Sequence, residues 1–154
     1  MKIKSYKPHE INDCREASQI SATILDELEK FIAEGVTTEE IDNFCFKRIQ
    51  ELGGTPAPLF YKGFPKSSCT SLNHVICHGI PSSNRKLLDG DILNVDITTI
   101  INGWHGDTSR MFKIGNISVK ANNLCEVTFL CLIESISEIK VGDPISKIGK
   151  KIDQ

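Results

Sequence analysis

The chain reads as an α/β protein of α+β type, with helices packed on an antiparallel sheet. Three observations carry this. Apolar residues recur at helical spacing early in the chain, short apolar runs broken by Gly, Pro, Asn and Ser fill the middle from Thr55 to Phe112, and helical spacing returns afterwards. At 154 residues the chain has room for one core, since domains run to about 100–200 residues.

The first stripe is Ala17, Ile20, Ile24, Leu28, Phe31 and Ile32, with Glu16, Asp26, Glu27 and Glu29 largely off it; Gly35 is expected to stop this helix. Thr37 and Glu40 then form a capping box, in which each side chain satisfies a free backbone N–H. Ile41, Phe44, Cys45, Ile49 and Leu52 continue a second stripe until Gly53-Gly54 ends it. Pro56 and Pro58 bar helix beyond that point. Leu93 through Ile101 is a strand rich in β-branched residues, and Gly103 through Phe112 returns from it. Asn102-Gly103 between them is a hairpin signal, because both residues tolerate positive φ. Leu124, Val127, Cys131, Ile136 and Ile139 suit the apolar face of a third helix closed by Gly142. Asp143-Pro144 is expected to open a fourth, striped by Ile145, Ile148 and Ile152. That helix breaks off at Gln154, so the sequence reads as cut short.

Lys+Arg 18 against Asp+Glu 20 leaves a net charge of -2, which gives no electrostatic reason to bind nucleic acid or an anionic membrane. No apolar run approaches the roughly 18 residues of a membrane span. The basic start, Met1 to Pro8, has no apolar stretch behind it and is not a secretory signal. A cytoplasmic location is expected. The six cysteines, at 14, 45, 69, 77, 125 and 131, form no C-x-x-C pair and read mostly as small buried hydrophobes kept reduced.

The hairpin carries the best chemical signal. Asp is disfavoured inside strands, yet Asp96 lies in one arm and Asp107 in the other. With a two-residue turn at Asn102-Gly103, Asp107 falls opposite Thr98 and diagonal to Asp96. Both carboxylates then leave one face, with Cα atoms about 7–8 Å apart. Leu93, Val95 and Ile97 face the other way, toward a core. Two converging carboxylates repel, and either one takes a proton or a cation stands between them. A pair of divalent metals, about 3.5–4 Å apart in two-metal hydrolases, removes the conflict. Two solvated Asp on an exposed sheet face remain the competing reading.

His78, just before Gly79 and Pro81, is placed to hydrogen-bond a substrate carbonyl or to shuttle a proton near neutral pH. A satisfied core or surface histidine is the bland alternative. His74, His105 and His9 carry weaker signals.

Four segments, Tyr61 to Ser67, Val75 to Pro81, Gly90 to Asp96 and Gly106 to Phe112, resemble type I methionine aminopeptidases in order, spacing and content. The resemblance runs from the first helix to the last residue. It implies the N-terminal portion of the pita-bread fold, a single incomplete domain over residues 1–154. It also implies removal of the initiator methionine from new proteins by metal-dependent hydrolysis, preferentially before a small second residue. Asp96 and Asp107 match the family's two metal-ligand aspartates, for two divalent ions (Co, Mn, Fe or Zn). His78 matches the histidine that contacts substrate and stabilises the tetrahedral intermediate. Tyr61, Phe64 and Cys69 match positions lining the methionine side-chain pocket, where aromatic and soft surfaces suit a thioether. Phe64 stands where many members carry Tyr, and Phe60 and Pro58 replace smaller residues beside the pocket.

The family's other ligands, one histidine and two glutamates, lie beyond the matched portion, as does the glutamate base. The expected partners are therefore nascent polypeptide N-termini, at the ribosome, together with a missing C-terminal half or a second copy of this chain. An inactive fragment, or a module that binds methionine-starting peptides without cleaving them, is the alternative.

Overall fold

The computed structural model describes residues 4–154. Met1–Ile3, part of the stretch read for a leader, lie outside the described residues. The chain forms two compact units that divide after Asn116.

The first unit begins with α1 (Pro8–Leu28) and α2 (Thr38–Glu51). Helix α1 ends at Leu28 and not at Gly35. The N–H groups of Phe31 and Ile32 both donate to the Leu28 carbonyl (2.9 and 3.0 Å), closing a tight turn. The apolar stripe runs on because these turn residues still pack on the core, Phe31 stacking on Phe44 with ring centroids 5.0 Å apart. Helix α2 starts at the expected capping box, Thr37 Oγ1 accepting from Glu40 N (3.2 Å) and Glu40 Oε2 from Thr37 N (2.8 Å). Its end follows from Gly53 (φ +80), whose N–H reaches Gln50 O, while Gly54 N–H reaches Ile49 O.

Four antiparallel strands follow: β1 (Thr55–Pro56), β2 (Ser68–Leu72), β3 (Ile92–Ile101) and β4 (Trp104–Lys113). Strand β4 lies on one edge of β3, while β2 and β1 share the other. Leu93, Val95 and Ile97 meet Ile24, Leu25 and Leu28 of α1 and Ile41, Cys45 and Ile49 of α2 in a fully buried core. Helix α1 crosses β4 at close range. A Cβ on Gly106 would lie 2.1 Å from the Ala17 carbonyl oxygen, and Ser21 Oγ donates to Gly106 O at 2.7 Å. Only glycine admits that approach.

The second unit holds α3 (Val119–Glu138), capped by Ser118, and α4 (Ser146–Ile152). Helix α3 stops before Gly142 because a turn intervenes, in which Lys140 N–H donates to Asp143 Oδ2 (2.8 Å). Asp143 therefore does not cap α4. Its carboxylate faces back to Lys140 and accepts from Lys147 Nζ, and a turn in which Lys147 N–H donates to Pro144 O (2.9 Å) leads into the helix. Cys125 and Ser135 are the buried positions of α3, whereas Leu124, Val127 and Ile136 of the expected apolar face are exposed. No helix among the described residues is long and apolar enough to cross a membrane. Cys45, Cys69 and Cys125 are buried, Cys14 and Cys131 half-buried, and Cys77 exposed.

Candidate functional site

The β3–β4 turn has Asn102 at φ 50 and Gly103 at φ 82, the two positive values of a tight hairpin turn whose twist matches its strands. This sets the register: Ile101 pairs with Trp104, Thr98 with Asp107 and Asp96 with Ser109. Asp107 is thus diagonal to Asp96 on one face, as the spacing predicts. Thr98 Oγ1 donates to Asp107 Oδ1 at 3.1 Å. Asp96 is half-buried. Burial, then the charge of Asp107 and a hydrogen bond shared with it, push Asp96 above the ordinary carboxylate range, against an opposing pull from His78.

Across β3 from this pair, Cys69 of β2 stands opposite Asp96. Burial and the neighbouring Asp96 raise its thiol to about 11. At neutral pH Cys69 is a soft, uncharged surface and not a nucleophile. The start of β2 is anchored by Asp42, a buried residue of α2 whose Oδ1 accepts from Ser67 N (2.9 Å), Ser68 N (2.8 Å) and Ser68 Oγ (2.8 Å). Lys66 is tied to Glu39 of the same helix at 2.5 Å.

His78 arrives on a strap laid against β2. Gly79 O accepts from Thr70 N (2.8 Å), Gly79 N donates to Ser71 Oγ (3.2 Å), and a Cβ on Gly79 would lie 2.2 Å from Thr70 O. The close approach demands glycine there, and His78 beside it adopts φ 54. A second loop rises over residues 57–65, with Phe60 at φ 65, Lys62 at φ 48 and Gly63 at φ 86. It is tied to itself by Phe60 N to Phe64 O (2.7 Å), Tyr61 N to Pro58 O (3.0 Å) and Phe64 N to Tyr61 O (2.9 Å).

Sheet face, strap and loop enclose a cleft of about 770 Å³. Tyr61, Phe64, Cys69, His78, Asp96 and Asp107 all line it, so the structure brings every candidate residue together. Phe60 and Cys77 stay outside its wall; Pro58, Lys62, Thr98 and His105 join it. Sequence reasoning passed over Asp42 and Lys62. Asp42 had a signal, since it falls with Ile41, Cys45 and Ile49 on the buried stripe of α2, where a carboxylate needs donors. Lys62 had none, because its backbone conformation is set by the loop.

The two aspartates suit part of a divalent-cation site: after burial, the charge of Asp107 is the next cause that raises Asp96, and a cation between them removes that repulsion. Among the described residues no group of three or more His, Cys, Asp or Glu is gathered closely enough to hold a metal. His78 lines the cleft without joining the pair as a ligand set.

The chain matches the model of "Metallopeptidase family M24" over residues 12–154. It is 40% identical over 152 residues to a "Methionine aminopeptidase" of Rickettsia prowazekii, which covers 99% of this chain and 58% of that protein. It is 47% identical over 143 residues to "Methionine aminopeptidase A" of Synechocystis, covering 93% and 56% respectively. The crystal structure of the methionine aminopeptidase from Rickettsia prowazekii superposes with a TM-score of 0.95 at 40% identity, over 98% of this chain and 60% of that one. The chain therefore spans less than two thirds of the relatives it matches, and its helices and antiparallel sheet are those of the pita-bread fold. The family match over residues 12–154, along nearly the whole length of a chain whose hairpin brings two aspartates to the wall of a cleft, makes this chain a member of metallopeptidase family M24.

Proposed function

We propose that this chain takes part in removing the initiator methionine from nascent polypeptides, with Asp96 and Asp107 holding two divalent ions among Co, Mn, Fe and Zn. The observation that carries the reading is the single cleft in which Tyr61, Phe64 and Cys69 accompany the carboxylate pair and His78. Its methionine aminopeptidase relatives support the same reaction. The two aromatic rings and the neutral thiol form a soft apolar wall for the thioether. His78 donates a hydrogen bond to the scissile carbonyl and stabilises charge developing on its oxygen. The metal ions supply Lewis-acid activation of the carbonyl and of a water molecule.

Two carboxylates are too few donors for two transition ions. The remaining ligands, and the base, come from a polypeptide segment that packs over this face, either the C-terminal half found in relatives or another chain. The working site acts in the cytoplasm on chains emerging from the ribosome. The test is methionine release from a Met-Ala-Ser peptide with Mn(II), beside Asp107→Asn. Release that disappears in the variant supports a complete site. Binding of the peptide without release supports a module that recognises methionine-starting chains. Neither release nor binding from a folded sample overturns the reading.

A further inference from the structure

Lys62 lines the cleft beside Tyr61, and its ammonium lies 5.4 Å from the Tyr61 ring centroid. Three features set it apart from an ordinary surface lysine. Its backbone sits at φ 48, ψ 32, a left-handed conformation that Gly or Asn adopts at far lower cost than a lysine. The loop that imposes this is closed on itself by the bonds from Phe60, Tyr61 and Phe64, so the side chain is launched from a fixed point. And no carboxylate among the described residues pairs with it, whereas Lys66 on the same segment is held by Glu39. Strain retained at the wall of a cleft points to a role there.

The structure assigns Lys62 a part in choosing the substrate: it favours peptides with an acidic residue shortly after the initiator methionine. The inference rests on the methionine aminopeptidase reading. With the first side chain against Tyr61, Phe64 and Cys69 and the scissile bond at Asp96 and Asp107, the next residues advance by about 3.3 Å each along an extended chain. The second and third residues after the methionine thus lie about 7–10 Å from its Cα, near the reach of a four-carbon lysine stem anchored beside Tyr61. Lys62 is the one lysine or arginine among the described residues lining the cleft, so it places a positive charge on this loop beside the path of the departing chain. An exposed ion pair of this kind changes affinity by about threefold.

The experiment compares Met-Ala-Asp-Glu, Met-Ala-Ser-Ser and Met-Ala-Lys-Lys amides, with Ser-Ala-Ser-Ser amide as the methionine-free control. Each is titrated calorimetrically into the full chain with Mn(II) at low salt, for the wild type, Lys62→Ala and Lys62→Glu. The expected order for the wild type is acidic above neutral above basic, about threefold per step. Lys62→Ala flattens the order, Lys62→Glu inverts it, and high salt compresses it. Methionine-dependent binding with no charge ranking, or a ranking that survives in Lys62→Ala, overturns the role of Lys62 and leaves the methionine reading standing. Equal binding of the methionine-free control, or no binding of any peptide, overturns both.

Discussion

Thr98 stands directly across the β3–β4 ladder from Asp107, and its hydroxyl donates to Asp107 Oδ1 at 3.1 Å. The bond orients one carboxylate of the pair from the neighbouring strand, a role served around metal sites by groups that never touch the ion. Thr98→Val keeps the shape and removes the donor. Mn(II) affinity, measured by calorimetry, is expected to fall about tenfold, with stability changed by less than about 1 kcal/mol. Unchanged affinity would show that the ladder alone orients Asp107.

Asp96 gives a pH test with a definite sign. Its pKa in the folded chain is raised above the ordinary 3.8, so the folded state binds this proton more tightly than the unfolded one. Its contribution to stability is therefore unpenalised below 3.8, declines as pH rises toward the raised folded value, and stays reduced above it. Without metal, Asp96→Asn is expected to melt above the wild type at neutral pH, with the gap closing as pH falls through that window. Saturating Mn(II) reverses the order, because binding stabilises the chain that keeps both carboxylates. A gap independent of pH in metal-free melts would refute the assignment.

Asp42 accepts three hydrogen bonds in a buried position. Asp42→Ala strands two backbone N–H groups and a hydroxyl, and urea unfolding is expected to show a loss of about 3 kcal/mol. Asp42→Asn retains an acceptor oxygen and loses about 1 kcal/mol. Equal losses would mean that burial of the charge, and not the donors, decides the effect.

Gly106→Ala drives a methyl group to 2.1 Å from the Ala17 carbonyl oxygen. Separating α1 from β4 is expected to cost about 3 kcal/mol. Gly149→Ala is the counterpart: no atom lies within 4 Å of its Cβ position, and an exposed helical site of this kind gains about 0.5–1 kcal/mol. Melting temperatures shifted in the same direction by both would contradict the packing argument.

The cysteines offer a chemical check. Burial raises Cys45 to about 12 and Cys69 to about 11, while Cys77 is exposed. Iodoacetamide under native, mildly alkaline conditions is expected to label Cys77 before either, as mass spectrometry of the digested protein would show. Rapid labelling of Cys69 would mean that the cleft opens freely.

The parts legible in the sequence are those decided over a few residues. A two-residue turn and the period of a strand place Asp107 diagonal to Asp96 without any distant contact, and Thr37 and Glu40 cap α2 by themselves. What escaped depends on neighbours remote along the chain. Gly79 and Gly106 look like ordinary loop and strand glycines until Thr70 and Ala17 are set against them. The same holds for the end of α1: Phe31 and Ile32 keep the apolar rhythm because the core receives them, although the backbone has already left the helix. The left-handed backbone of Phe60 and Lys62 belongs to the closed loop, and neither residue type announces it.

The hairpin also bears on how the chain reaches its fold. Residues 96 and 107 meet through the turn at Asn102-Gly103, a contact of short loop closure that forms on the scale of about 1–10 μs. The contact between α1 and β4, by contrast, joins segments separated by most of the unit's length. The geometry of the pair is therefore local: one turn and two strand arms set it, whatever the order in which the rest of the unit packs around them.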